Sequence, residues 1–425
     1  MTTPAGQESI SHFHTSDETY RRYSTSALSR AVTEGRISQA DADLILEFTQ
    51  ELRARSRKIT TARVFKITVT LIGVREFLPR PFPECGIKDV YAAREAIETT
   101  QKPDGSTRYK QNTQADFVRF MKRFFLWLVD NERSTIPYKK LKEISPPAYR
   151  YDVKTEDSIF SREEVHAMLR ACQNSRDRAI VSVLYEGALR IGELGTLRWN
   201  QVTFTNVNAT LKVRFKTEKT RIIPLFMARE YLSAWKNDYP GEPAGDRFVF
   251  LTANGGGKRS GRNQLQYAGI AKQIRKIAGR AGIQKHVTPH IFRHSRITHL
   301  VQDGTQESMI KLLGWGDPAT TMFDKCYNHV GGADVVNEMA RVAGVEMGER
   351  TKSKILEPRQ CPHCGEINGP TRRWCVKCET ALTEEDRERV KTVMEQAELL
   401  PEFKHLQQQV KDLQDQLIAV KRGIV

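Results

Sequence analysis

Between positions 190 and 327 the chain holds six residues that together could cleave a phosphodiester: Arg190, Lys216, His290, Arg293, Trp315 and Tyr327. Such cleavage by a side chain has three requirements. A nucleophile must lose a proton, the pentavalent phosphorane must meet positive donors, and the leaving 5′ oxygen must receive a proton. A tyrosine has an ordinary pKa near 10, so it needs cationic neighbours to act near neutrality. Arginine suits the non-bridging oxygens, because its planar fork matches phosphate and its charge is permanent. A phosphotyrosine keeps the energy of the phosphodiester, so rejoining would need no nucleotide.

The local contexts differ in what they say. His290 and Arg293 lie three apart in TPHIFRH, so on a helix they share a face. Pro289 at the first helical position, after Thr288 as cap, puts both on the first turn, where the helix dipole favours an anion. Arg190 sits in a Gly-bearing apolar turn, GALRIGEL, with Glu193 three residues on as a possible buried partner. Lys216 lies at the tip of an expected hairpin, with Lys219 as a rival. Trp315 lies in LLGWGD and Tyr327 in DKCYNHV. Taken singly, each has a plainer reading: a solvated helix start, a structural Arg–Glu pair, a turn lysine, a core tryptophan, a packed tyrosine.

Elements must bring these residues together. Apolar residues at spacings of three and four, with Ser38 as N-cap, predict a helix from 38. Further helices are expected over 60–77, ended by prolines, then 87–99 and 111–131. The last of these would bury Phe117, Phe120, Met121, Phe124, Phe125 and Leu128. Residues 1–37 read as a polar arm, mobile or lightly helical, and 38–140 as an all-helical domain. The Pro-Pro segment 141–157 reads as a linker. A capping box of Ser161 and Glu164 restarts helix, and another runs over 176–186. Residues 210–226 alternate as a hairpin, with Leu211, Val213 and Phe215 before the turn and Ile222 and Leu225 after it. Helices follow at about 263–281, 288–303 and 308–313, so 158–345 reads as a mixed α/β domain.

Charge and cysteines add partners. The 425 residues carry a formal net charge of +16, a field suited to a polyanion such as DNA. Lys102–Lys110, Lys122 and Arg123 are possible phosphate contacts. Cys361, Cys364, Cys375 and Cys378 form two C-x-x-C knuckles within 361–380, the spacing of a structural four-thiolate zinc site. So short a unit has no core of its own, and metal would supply its folding energy. Arg372, Arg373, Trp374 and Lys377 around it could face DNA or protein. Cys85, Cys172 and Cys326 read as unpaired thiols. Within an amphipathic or coiled-coil helix over 384–425, Phe403, Leu406, Val410, Leu413, Leu417, Val420 and Ile424 form an a/d seam. No apolar stretch suggests export or a membrane span, so a cytoplasmic, nucleoid-associated protein is expected.

In order, ALRIGEL, K-T-x-x-x-R-I-I-P-L, TPHIFRH, LLGWGD and Y-N-H resemble the tyrosine recombinase, or phage-type integrase, family. The resemblance covers about 38–340. Y-N-H-V and the appended cysteine knuckles resemble archaeal mobile-element integrases, although Asp324 stands where a bacterial alignment would place tyrosine. The resemblance implies a multidomain, mainly α protein: a helical core-binding domain, a mixed α/β catalytic domain, a small zinc ribbon and a C-terminal helix. It implies that Arg190 and Arg293 clamp the scissile phosphate, Lys216 is the general acid, and His290 accepts the tyrosine proton. Trp315 would donate to phosphate, and Tyr327 would be the nucleophile of a 3′-phosphotyrosyl intermediate. It implies double-stranded DNA as partner, a tetramer on two DNA sites, and no cofactor for the chemistry. The function so implied is site-specific integration or excision of a mobile element. An Xer-like dimer resolvase, a type IB topoisomerase-like enzyme and a non-catalytic sequence-specific DNA-binding protein are the alternatives.

Overall fold

The computed structural model describes residues 13, 15–56, 59–150, 158–214, 220–252, 264–327, 339–340, 343–345, 353–398 and 401–421. Two units divide the chain: His14–Asp152, and Val153–Val425 together with Met1–Phe13.

The first unit is helical. Helix α1 (Asp17–Thr33) begins where the Ser16 side chain accepts the Thr19 N–H at 3.1 Å. The stretch read as a polar arm therefore supplies a full helix, and Tyr20 and Tyr23 of it pack on Phe65. Helix α2 (Gln39–Arg55) starts at Ser38 with a reciprocal capping box to Asp41. That fully buried carboxylate also accepts from Arg75 Nε at 3.1 Å and from the Phe82 N–H at 3.0 Å. One side chain thus fixes the start of α2, the end of α3 (Thr61–Arg75) and the proline-rich segment after it. Helix α4 (Ile87–Thr99) and helix α5 (Gln111–Asp130) complete the core, and the six expected apolar residues of α5 are all buried. Phe124 of α5 packs edge-on against Phe82 and Phe48, with ring centroids 4.8 and 5.1 Å apart. Lys122 donates to the carbonyls of Lys142 and Ile144. It is thereby engaged at the end of the short helix α6 (Tyr138–Glu143) rather than held out as a free cation.

In the second unit, helix α7 (Arg162–Ala171) opens on the Ser161–Glu164 capping box. Helix α8 (Ser175–Glu186) follows and is buried along most of its length. The short helix α9 (Ile191–Gly195) leads to an antiparallel sheet of β1 (Val202–Phe204), β2 (Ala209–Arg214) and β3 (Thr220–Leu225), in the order β1-β2-β3. The register pairs Leu211 with Ile223 and Val213 with Arg221. Here one expectation fails. Ile222 points outward, 70% exposed, and the inward row of β3 is Arg221, Ile223 and Leu225. A strand alternates with period two, so Ile222 cannot share a face with Leu225 three residues away. Phe215 and the hairpin tip lie outside the described residues.

Helix α10 (Met227–Asn237) was not expected from sequence. Its N-cap, Phe226, makes no side-chain cap. Instead the carboxylate of Glu186, at the end of α8, accepts the N–H groups of Phe226, Met227 and Ala228 at 2.8–3.0 Å. Helices α11 (Tyr267–Arg280), α12 (Pro289–Gln302), α13 (Glu307–Trp315) and α14 (Met322–Tyr327) follow. A two-stranded ribbon, β4 (Arg359–Gln360) with β5 (Ile367–Asn368), precedes the helix Glu384–Glu398. A separate helix, Pro401–Lys421, has proline at its first position and includes Leu406, Val410 and Leu413 of the expected seam; Ile424 lies outside the described residues. Among the described residues no helix is long and apolar enough to cross a membrane.

Candidate active site and a four-cysteine cluster

The turn between α8 and α9 is built to project Arg190. A Cβ at Gly187 would stand 2.9 Å from the Val183 carbonyl, and Ala188 adopts φ 46°, a conformation that L side chains rarely take. Ala188 is fully buried against Ile297, Leu300, Ile310 and Phe323, and this packing holds the strained turn. Arg190 is the N-cap of α9. Its N–H donates to Glu193 at 2.8 Å and its Nη1 to the other carboxylate oxygen at 3.2 Å.

Pro289 occupies the first turn of α12, as its residue type requires. Thr288 stands at the N-cap position, but its side chain makes no capping bond. His290 is exposed, and its ring meets that of His294 edge-on at 4.6 Å. Arg293, one turn further, is 2% exposed. Its Nη1 donates to the Ala188 carbonyl at 2.6 Å and its Nη2 to the Gly314 carbonyl at 2.7 Å. Carbonyl acceptors orient a guanidinium without neutralising it. The same guanidinium lies 4.7 Å from the ring of Trp315, a cation–π contact.

Trp315 ends α13, and Gly316 closes the helix with φ 68°. The Trp315 ring meets Phe323 edge-on at 6.3 Å, which ties α13 to α14. Lys311 bridges Glu307 at 2.6 Å and Asp324 at 3.7 Å across the same two helices. Asp324 is therefore paired with a lysine. Tyr327 is the last residue of α14; its side chain lies outside what the structure describes, as does Lys216.

The structure thus joins Arg190, Arg293 and Trp315 in one bonded cluster and places His290 one turn before Arg293. Sequence reasoning missed the residue at its centre. Arg221, 1% exposed, donates from Nη2 to Glu193 at 2.5 Å and from Nη1 to Gly314 at 2.9 Å and to the Leu313 carbonyl. Its position in phase with Ile223 and Leu225 was the available signal.

A second constellation lies in the ribbon. The Sγ atoms of Cys361, Cys364, Cys375 and Cys378 all lie within 4.8 Å of one another, with neighbouring pairs at 3.3–3.6 Å. Tetrahedral zinc with Zn–S near 2.3 Å requires S···S edges of about 3.8 Å, so this donor set fits that ion. The two knuckles share one geometry. The residue after each second cysteine, Gly365 or Glu379, takes positive φ and returns its N–H to the first cysteine's carbonyl at 3.0 Å. Burial opposes the Cys361 thiolate, but the backbone N–H groups of Cys364 and His363 outweigh it and lower the thiol to about 6. Cys85 and Cys172 are free and buried; burial raises their thiols to about 11 and about 12.

The ribbon is seated on α10. Arg372 pairs with Glu230 at 2.6 Å, Arg229 with Glu366 at 2.5 Å, and the Tyr231 hydroxyl bonds Thr371 Oγ1 at 2.7 Å. A Cβ on Gly369 would lie 2.3 Å from the Tyr231 ring, so this contact needs glycine. Arg373 pairs with Asp386, at the start of the following helix.

Helices thus surround a small antiparallel sheet, and the part-buried Arg190 before α9 converges with the buried Arg293 of α12 and Arg221 of β3. Residues 159–332 match the model described as the phage integrase family. The chain is 30% identical over 210 residues to tyrosine recombinase XerC of Xanthomonas campestris, covering 49% of this chain and 60% of the relative. It is 27% identical over 227 residues to tyrosine recombinase XerD of Listeria innocua, covering 51% and 71%. Transposase A of transposon Tn554 from Staphylococcus aureus is 31% identical over 203 residues, covering 44% and 52%. The chain thus spans about 60% of the length of the XerC relative. Among solved structures, XerH site-specific recombinase bound to a palindromic difH substrate aligns with TM-score 0.51 at 14% identity, covering 79% of this chain and 98% of that one. Lambda integrase bound to DNA aligns with TM-score 0.50 at 14% identity, covering 68% and 99%.

Proposed function

We propose that this protein is a site-specific tyrosine recombinase that integrates or excises a mobile element. The bonded cluster of Arg190, Glu193, Arg221, Arg293 and Trp315, inside a segment that matches the phage integrase model, carries the reading. In the proposed reaction the Tyr327 phenolic oxygen attacks the scissile phosphorus as its proton passes to His290. Arg190 and Arg293 hold the non-bridging oxygens, and the Trp315 indole N–H donates to one of them. The P–O5′ bond breaks, and the 5′ oxygen leaves with a proton from Lys216. The 5′ hydroxyl of a second strand reverses these steps and frees the tyrosine. The +16 charge supplies salt-sensitive contacts to the phosphate backbone. Protein incubated with a nicked duplex, without ATP, should form a DNA complex that survives SDS. Specific binding with no such complex would favour a non-catalytic DNA-binding protein.

The four cysteines are proposed to hold structural zinc. Four thiolates close the coordination shell and leave no open position for a substrate. Arg372 and Arg373 are committed to Glu230 and Asp386, which favours a ribbon that faces protein over one that reads DNA. One zinc per chain by elemental analysis is expected, and none in Cys364→Ser; metal-free wild-type protein would refute the assignment. Archaeal mobile-element origin remains part of the same proposal, on the ribbon and the Y-N-H-V segment.

A further inference from the structure

Strand β3 places a guanidinium where its inward row is otherwise apolar. Arg221 shares that face with Ile223 and Leu225. A buried cation is costly unless its partners are well placed. Here they are the supports of the proposed phosphate clamp. Nη2 holds Glu193, whose carboxylate also holds the main chain and Nη1 of Arg190. Nη1 holds the Leu313 and Gly314 carbonyls, and Gly314 is also the acceptor of Arg293 Nη2. The aliphatic stem abuts the turn after Trp315, where a Cβ on Gly316 would come within 2.7 Å of Arg221 Cγ. Nε finds no acceptor among the described residues, so the side chain is placed by its two terminal nitrogens alone. Only a planar fork can meet a carboxylate on one side and two carbonyls on the other; a lysine ammonium cannot span both.

We propose that Arg221 is a positioning residue for strand cleavage. Through Glu193 it sets Arg190, and through the Gly314 carbonyl it sets Arg293 and Trp315, so that both arginines meet the scissile phosphate in one register. This rests on the recombinase reading above. It goes beyond that reading by giving a role to a residue that would touch neither DNA nor the reacting atoms.

The test compares single-turnover cleavage at saturating DNA on two nicked duplexes taken from the DNA flanking the protein's own gene. One carries an ordinary scissile phosphodiester, the other a methylphosphonate. The methylphosphonate lacks one negative oxygen, so its transition state depends less on the arginines. Arg221→Met should slow release of the 5′-hydroxyl strand by roughly 10–100-fold on the phosphodiester, the effect of a misplaced clamp, with DNA affinity unchanged. The deficit should shrink on the methylphosphonate, and Arg221→Lys should fall between wild type and Arg221→Met. Should Arg221→Met not fold, Glu193→Gln/Arg221→Met removes both buried charges and takes its place. Equal slowing on both duplexes, or a wild-type rate in the variants, would overturn the proposal. A wild-type protein that cleaves neither duplex would instead overturn the recombinase reading on which it stands.

Discussion

Arg221 and His299 are both buried ionisable groups, and the fold treats them in opposite ways. Burial presses the Arg221 guanidinium below its ordinary pKa, yet Glu193 opposes that shift and the group stays charged. His299 is held neutral. Burial first, then the nearby Arg162 and Arg296, lower it to about 4, and its Nδ1 bonds the Tyr185 hydroxyl at 2.8 Å. Its folded pKa lies below the unfolded value, so protonation favours the unfolded chain. The stability it contributes is present above pH about 6.5 and lost as pH falls towards 4, up to about 3 kcal/mol at 1.36 kcal/mol per unit. The denaturation midpoint of the wild type should therefore fall faster between pH 7 and 4.5 than that of His299→Gln. Parallel pH profiles would remove His299 from this role. Arg190, His290, Arg293 and Trp315 could be singled out in the sequence because each sits in a short motif; what the structure adds is their proximity, and their catalytic roles belong to the proposal. Arg221 was not singled out, because its role depends on which face of β3 turns inward.

At the scale of elements, legibility followed the range of the interaction that starts or stops each one. Helices α2, α4 and α7 were readable because their caps and apolar faces are local, and α5 by its apolar face alone. Helix α10 was not, because its cap is Glu186, forty residues away in sequence. The same distance hid the seat of the ribbon: nothing near Cys361 announces Glu230 or Tyr231. Since α10 carries that seat, loss of the proposed zinc should be felt beyond the knuckles. The zinc-free Cys364→Ser variant should melt at lower temperature than wild type and expose the Glu384–Glu398 helix to protease. An unchanged melting profile and digestion pattern would show that the ribbon holds its seat without metal.

The whole molecule combines a helical unit, a unit whose residues 159–332 match the phage integrase model, and a C-terminal helix whose Leu406, Val410 and Leu413 are 60, 48 and 63% exposed. Their spacing of four and three is that of a coiled-coil seam, and we propose that it links protomers into a tetramer on two DNA sites. About three heptads are marginal alone, so the link should strengthen on DNA, where copies are already neighbours. Removing 401–425 should lower the mass of the DNA-bound assembly by light scattering; an unchanged mass would return this helix to a role within its own chain. The proposed chemistry requires that the phenol of Tyr327 become covalently joined to DNA. Wild-type protein and Tyr327→Phe, each incubated with nicked duplexes from the DNA flanking the gene, test it most directly on a denaturing gel. An SDS-resistant protein–DNA band is expected for the wild type and none for the variant. A band that survives in Tyr327→Phe would contradict it and place the nucleophile elsewhere.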